Sequence, residues 1–107
     1  MSRRSAAAPV VLGATSAIPF LSLNDSNQAV APDAAPTYQI RAAAGLGDGT
    51  NIATGTSTAI SGVTGGYYIA HAITAGNGFA AGTNYYILIT YAISAATKRQ
   101  IIDLPVA

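Results

Sequence analysis

The chain has 107 residues, of which five are Lys or Arg, four are Asp and one is His, and it contains no Glu, Cys or Trp. General acid/base catalysis needs a tuned carboxylate or imidazole, and nucleophilic catalysis needs a Ser, Cys or Lys beside such a base. The composition therefore argues against an enzyme. It predicts a protein that works by presenting a surface, without cofactor or metal.

The balance of charge and hydropathy also limits the partners. A net charge of +1 lacks the basic footprint with which proteins neutralise several phosphates, so we expect no nucleic-acid partner. No apolar run approaches the ~18 residues of a membrane helix, so we expect no membrane partner. Low net charge weakens the repulsion between copies, which favours a homo-oligomer or a place inside an assembly.

Residues 1–9 offer no face to bury, and we interpret them as an extended N-terminal arm that becomes ordered on a partner. Arg3 and Arg4 precede a small apolar stretch and so imitate an export signal, but Pro9 and Gly13 interrupt that stretch. We therefore expect an unprocessed product made in the cytoplasm. Residues 10–107 are the expected size of one domain with one core.

Short alternating runs rich in Ile, Tyr, Thr and Val lie between Gly and Pro residues along this domain. Pro19 favours an edge strand, and the polar cluster 24–27 predicts a turn. The run 84–93 is apolar on both faces, which is typical of a central or covered strand. The pattern predicts an all-β fold, a two-sheet antiparallel sandwich of six to seven short strands. Residues 10–12 and then 17–23 are interpreted as the first strand or as a strand broken near Gly13. The segment 51–60 is predicted to be extended, and the other predicted strands are 37–42, 66–74, 84–93 and 98–104.

Four stretches carry a resemblance to a known family: residues 20–27 (FLSLNDSN), 36–42 (PTYQIRA), 65–70 (GGYYIA) and 82–89 (GTNYYILI). Together they resemble an immunoglobulin-like domain of bacteriophage virion proteins, over residues 10–104. The Cys pair and buried Trp of antibody domains are missing, so the resemblance is to the broad, disulfide-free class.

This resemblance implies an immunoglobulin-like sandwich and a structural role in the virion. The expected function is to decorate or cement a phage capsid through the arm and one sheet face, with major capsid or connector subunits as partners. The alternative is a tail, neck or fibre module that recognises a glycan or a cell-surface protein.

The candidate partner-binding residues lie at the N-terminus. Arg3 and Arg4 are placed to dock on an acidic partner, and the apolar residues Val10, Val11 and Leu12 give the arm something to bury against a neighbour. On this interpretation we expect the domain to fold without residues 1–12.

Other candidate sites have simpler explanations. His71 has no orienting partner or second ligand near it in sequence, which favours a structural or interface role. The four Asp show no alternating Asp-x-Asp loop, so turn capping is expected rather than calcium binding. The Gly-rich segment 45–49 lacks the Lys of a phosphate-binding loop and is interpreted as an ordinary loop.

The six tyrosines offer a possible contact surface. In the adjacent pairs 67/68 and 85/86 one side chain must point to each face of its strand, and the outward members were candidates for a stripe across neighbouring strands. With the loops near Gly47 and Asn77, this stripe is the surface that the recognition alternative would use. A packing role is expected for at least half of the six.

Overall fold

A computed structural model of the chain describes residues 2–6, 10–42 and 51–107, with backbone alone at residues 2–6 and 16. Within these ranges no helix is long and apolar enough to cross a membrane. One 3-10 turn occupies Ala75–Asn77. The strands are β1 (Ser2–Ala6), β2 (Thr15–Leu21), β3 (Thr37–Ala42), β4 (Asn51–Thr56), β5 (Thr58–Ala59), β6 (Gly66–Ala72), β7 (Asn84–Ile93) and β8 (Ala96–Pro105).

The strands form two packed sheets, which confirms the predicted β-sandwich. The larger sheet has the order β1-β8-β7-β3-β4 and the smaller has the order β2-β6-β5. All neighbouring strands are antiparallel except β1, which runs parallel to β8. Without β1, the two orders correspond to the G-F-C-C′ and B-E-D sheets of immunoglobulin domains.

The core lies between the sheets and is built from the alternation within the strands. In β7 the buried positions are Tyr85, Ile87, Ile89 and Tyr91, and the intervening residues lie on the outer face. The other members are Val10, Ile18, Phe20, Tyr38, Ile40, Ile69, Ile73, Phe79, Ile102, Leu104 and Val106. Because β7 has a paired neighbour on each side, its prediction as a central strand is confirmed.

A buried polar network joins the sheets beside this core. The Tyr91 hydroxyl in β7 donates to the carbonyl oxygen of Leu23 at 2.8 Å and accepts from the Leu23 amide at 3.0 Å. The Gln100 side chain in β8 donates to the same hydroxyl at 3.1 Å and to the carbonyl oxygen of Leu21 at 2.5 Å. One phenol thus ties the larger sheet to the end of β2 in the smaller one.

A second tyrosine closes the connection between β6 and β7. The Tyr85 hydroxyl accepts from the Ala80 amide at 2.8 Å, and the Phe79 ring packs edge-on against the Tyr85 ring with centroids 5.0 Å apart. This is the geometry of the tyrosine corner of immunoglobulin sandwiches. In antibody domains the second Cys lies two residues after this Tyr. Here that position is Ile87, whose side chain is fully buried.

The edges and turns follow local chemistry. Pro19 lies in β2, which is an edge strand as predicted. The predicted turn at 24–27 is confirmed, since Asn24 Oδ1 accepts from the amides of Ser26 and Gln28 and Asn27 has a φ of 62°. The predicted strand 10–12 is wrong. Val10 makes an isolated bridge to Val106, and the chain turns immediately afterwards.

Candidate interaction surfaces

The predicted N-terminal arm is extended over β1, and it lies along the chain's own sheet. By register, Arg3 is opposite Gln100 and Arg4 is opposite Ile101 of β8. Val10 is only 7% exposed and belongs to the core. Its amide donates to the Pro105 carbonyl at 3.0 Å, and its own carbonyl accepts from Ala107 at 2.7 Å.

The three apolar candidates therefore separate. Val10 supports the fold of its own domain, Leu12 is packed against the core, and Val11 is 66% exposed. The amide of Gly13 also donates to the Ile73 carbonyl at 2.6 Å. Removing residues 1–12 would delete the side chains of Val10 and Leu12 from the core and the hydrogen bonds of the Val10 backbone. The expectation that this truncation leaves the domain intact has to be revised. Val11 is the apolar member available to a partner.

The outward side chains that the structure describes on the smaller sheet are uncharged, and we call this surface the neutral face. It consists of the outward residues of the smaller sheet: Thr15, Ala17, Pro19 and Leu21 of β2, Thr58 of β5, and Tyr68, Ala70 and Ala72 of β6. Leu21 is 43% exposed and is paired with Gly66. The Val63 side chain, 46% exposed, occupies the space that a Cβ at Gly66 would fill. The two exposed hydrophobic side chains thus lie at one end of the neutral face.

The opposite side of the sandwich holds an open groove of about 310 Å³, which we call the basic groove. Its lining residues are Thr37, Tyr38, Gln39 and Arg41 of β3, Leu88 and Thr90 of β7, and Arg99 of β8. Arg41 is oriented by its neighbour, because its Nε and Nη2 atoms both donate to Gln39 Oε1, at 3.1 and 2.7 Å.

The alternation within residues 37–42 predicts Thr37, Gln39 and Arg41 on one face of a strand, and the structure confirms this. It missed the groove because Arg99 reaches it from a strand far along the chain. The sequence indicates only how far apart β3, β7 and β8 lie along the chain. Their side-by-side order in the sheet brings the guanidinium groups of Arg41 and Arg99 to one groove.

The tyrosines do not form the predicted stripe. Tyr38, Tyr85 and Tyr91 are buried, and the Tyr67 ring stacks on Phe20 with centroids 6.1 Å apart, so the packing role expected for at least half is confirmed. Tyr68 faces outward from the smaller sheet and Tyr86 from the larger one. The two outward rings are therefore on opposite sides of the sandwich, and the stripe prediction is wrong.

His71 is packed between aromatic rings. Its ring contacts those of Tyr38 and Phe79, with centroids 6.2 and 5.9 Å away, and its Nδ1 atom is 3.4 Å from the Tyr38 hydroxyl. The buried Nε2 atom has no hydrogen-bond partner in the described part of the chain. Burial raises the pKa of Tyr38 above its usual value. The predicted structural role of His71 fits this packing.

Two of the acidic residues contact segments far along the chain. Asp33 caps a turn, since its two oxygens accept from the amides of Ser94 and Ala95 at 3.0 and 2.8 Å. Asp25 instead pairs with Lys98, whose Nζ is 2.7 Å from Oδ1, and this contact lowers the pKa of the carboxyl group. Asp48 and the segment 45–49, including Gly47, lie outside the described residues. Over the described ranges, no three His or Asp side chains are grouped as metal ligands would be.

Comparison of this chain with protein-family models, with curated proteins and with solved structures found no match.

Proposed function

We propose that this protein is a non-enzymatic structural component of a phage virion, which decorates or cements the capsid through its N-terminal arm and the neutral face. The observation that carries the proposal is the neutral face itself. None of the residues that form it is charged, and two exposed hydrophobic side chains, Leu21 and Val63, lie at its end. The location in a virion is supported by the family resemblance of the sequence.

The size of the neutral face explains why a second contact is needed. Two strands of seven residues and one of two, about 4.8 Å apart and at about 3.3 Å per residue, cover roughly 250 Å². A stable interface buries roughly 800 Å² on each partner. The face supplies less than half of this area, so an adjoining contact must supply the rest.

The N-terminal region is the adjoining contact that we propose. Val11 is the most exposed of the large hydrophobic side chains that the structure describes, and it lies just before β2, the outermost strand of the smaller sheet. The strand β1 lies at the edge of the other sheet, where its outer backbone groups are available for pairing with a subunit of the shell. Neighbouring subunits at a capsid lattice position would then be joined by noncovalent contacts alone.

Incorporation into virions tests the proposal. The wild-type chain and the variants Leu21→Glu and Ala70→Glu would be supplied to the phage in trans, and particles purified in a density gradient would be quantified by mass spectrometry. A charge buried without a partner is expensive, so each substitution is expected to lower occupancy by at least tenfold. Thr54→Glu, at an exposed strand position on the other sheet, is the matched control and should incorporate normally.

Two results would contradict the proposal. Absence of the wild-type chain from purified virions would remove the virion role. Normal incorporation of both neutral-face variants would remove that face as the interface. Circular dichroism of each purified variant, compared with wild type, separates lost binding from lost folding.

The arm needs a shorter truncation than the sequence alone indicated. Deleting residues 1–6 removes β1 and leaves Val10 in the core, whereas deleting residues 1–12 would remove Val10 and Leu12. The recognition alternative, in which a tail, neck or fibre module binds a glycan, loses the tyrosine stripe on which it depended.

A further inference from the structure

We propose that the basic groove binds an acidic peptide segment of a protein partner through its carboxylates. The groove lies on the larger sheet, on the opposite side of the sandwich from the neutral face, so this inference stands apart from the proposed function. Its defining feature is a pair of guanidinium groups, Arg41 and Arg99, that line one cavity of about 310 Å³. They are two of only five cationic side chains in the whole protein.

The side chains of the groove offer hydrogen-bond donors, so the groove favours a ligand that accepts hydrogen bonds. Gln39 Oε1 already accepts both the Nε and Nη2 donors of Arg41, which leaves the Gln39 amide nitrogen to donate. The Arg41 Nη1 atom and the Arg99 guanidinium add further donors, and the hydroxyls of Thr37 and Thr90 can donate as well. An ionised carboxylate only accepts, and it matches the planar guanidinium in a bidentate pair.

The acidic side chains in the described ranges are already engaged, which favours an occupant other than a second copy. Asp25 is paired with Lys98, and both oxygens of Asp33 accept backbone amides. Asp103 has an interaction of its own. Since the sequence contains no Glu, the described part of a second molecule offers no uncommitted carboxylate. A partner richer in acidic residues supplies the carboxylates that the described part of this chain does not.

The positions of the two arginines set the shape of the ligand. The pairings place Thr37, Thr90 and Arg99 in one row across the sheet, with Gln39 and Leu88 in the next row and Arg41 in the third. Two strand spacings and two rows separate Arg41 from Arg99, which corresponds to about 16 Å between their backbones. An extended peptide places alternate side chains on one face about 7 Å apart. Acidic residues at alternate positions would therefore reach both guanidinium groups over Leu88.

Nuclear magnetic resonance of the ¹⁵N-labelled full chain tests this inference. The probe is an acetylated and amidated Glu-Ser-Glu-Ser-Glu peptide, with the Gln-Ser-Gln-Ser-Gln peptide as the neutral control. We expect saturable shifts at amides 37–41, 88–90 and 99 with the acidic peptide, and none with the neutral one. The variants Arg99→Gln and Arg41→Gln should each weaken binding about threefold to tenfold, as expected for a partly exposed charge-assisted contact.

The controls make the outcome decisive. Lys98→Gln removes a cation that is already paired outside the groove and should leave the dissociation constant unchanged. Equal shifts with both peptides, a shift map centred elsewhere, or unaltered binding by Arg99→Gln would each overturn the proposal. If inorganic phosphate alone gives the same pattern of shifted amides and the same affinity, the groove is a general anion site and the proposed peptide ligand is wrong. If Arg41→Gln loses the dispersed spectrum of a folded protein, the exposed Arg99→Gln variant decides alone.

Discussion

Replacing Tyr91 by Phe removes one oxygen atom from the contact between the sheets and should destabilise the domain measurably. The hydroxyl is the hydrogen-bond partner of both the amide and the carbonyl of Leu23, and it also accepts from Gln100. In Tyr91→Phe the ring still fills its space, so the change isolates the polar network. Gln100 keeps its bond to the Leu21 carbonyl, and the main loss falls on the two backbone groups of Leu23.

The magnitude follows from these two groups. A buried polar group left without a partner costs about 1–3 kcal/mol, and the contacts to Leu23 are only partly buried, so about 1 kcal/mol for each is appropriate. The expected loss is about 2 kcal/mol in the free energy of unfolding. For a domain of this size that corresponds to a fall of roughly 10 °C in Tm.

Urea denaturation followed by circular dichroism measures this loss, with an unchanged m-value as the sign that the two states remain comparable. Tyr86→Phe is the matched control, because Tyr86 lies on the outer face of the same strand, and it should stay within about 0.5 kcal/mol of wild type. A loss below about 0.5 kcal/mol in Tyr91→Phe would refute the argument that this hydroxyl joins the sheets.

Three further substitutions test other contacts by the same denaturation assay. Gly55→Ala should cost about 1–3 kcal/mol, because the new Cβ would lie 2.5 Å from the Tyr38 hydroxyl oxygen and the ring must move. Tyr85→Phe should cost about 1–2 kcal/mol, because it leaves the backbone amide of Ala80, in the connection between β6 and β7, without its acceptor. Asp25→Asn should reduce the acid dependence of stability: pairing with Lys98 lowers the folded-state pKa of Asp25, so this contribution is present above the ordinary carboxyl pKa and is lost as the pH falls through the lowered value.

Each of these has its own control. Gly76→Ala should be close to neutral, since the nearest atom to its added Cβ is 3.9 Å away, and equal losses at Gly55 and Gly76 would rule out the steric argument. For the tyrosine corner, an unchanged midpoint in Tyr85→Phe would mean that water replaces the hydroxyl. For Asp25, the wild-type and variant stabilities should differ less at pH 2 than at pH 7, and high salt should shrink the difference at pH 7. A gap that widens in acid would contradict the assigned pairing.

The strands with regular alternation could be predicted from the sequence almost to their ends. The predicted ranges 37–42 and 84–93 coincide with β3 and β7, because apolar and polar residues alternate in the first and the second is a continuous run rich in Ile and Tyr. The predicted strand 98–104 lies inside β8, which extends further at both ends. Period-two patterning is a local property, and these strands needed nothing more.

The break between β4 and β5 could not be predicted in this way. The range 51–60 was interpreted as one extended segment, but the chain changes sheets within it, after β4 has paired with β3 and before β5 pairs with β6. At the crossing point Ser57 is buried, and its amide and hydroxyl both donate to the Pro36 carbonyl, at 2.9 and 2.8 Å. That partner lies in a different segment, so the local sequence contains no signal for the switch.

The candidate surfaces depend on the same non-local information. The neutral face could be foreseen only as a set of uncharged strands, since its members come from three strands whose order in the sheet was unknown. Arg3, Arg4, Val10, Val11 and Leu12 were grouped because they are close in sequence. The structure separates them, because Val10 packs into the core, Val11 is exposed, and Arg3 and Arg4 lie in β1 beside β8.

The turn that joins β7 to β8 has a consequence for the order of folding. Ser94 and Ala95 both have positive φ, at 50° and 65°, in a place where hairpins ordinarily use Gly or Asn. Left-handed backbone costs such residues roughly 1–2 kcal/mol each, and the compensating carboxylate of Asp33 lies 61 residues away from Ser94. A β-hairpin usually forms from local contacts, but the turn of this hairpin is stabilised by a carboxylate in a distant segment. The domain should therefore acquire structure in a single concerted event that brings the β7–β8 hairpin and Asp33 together.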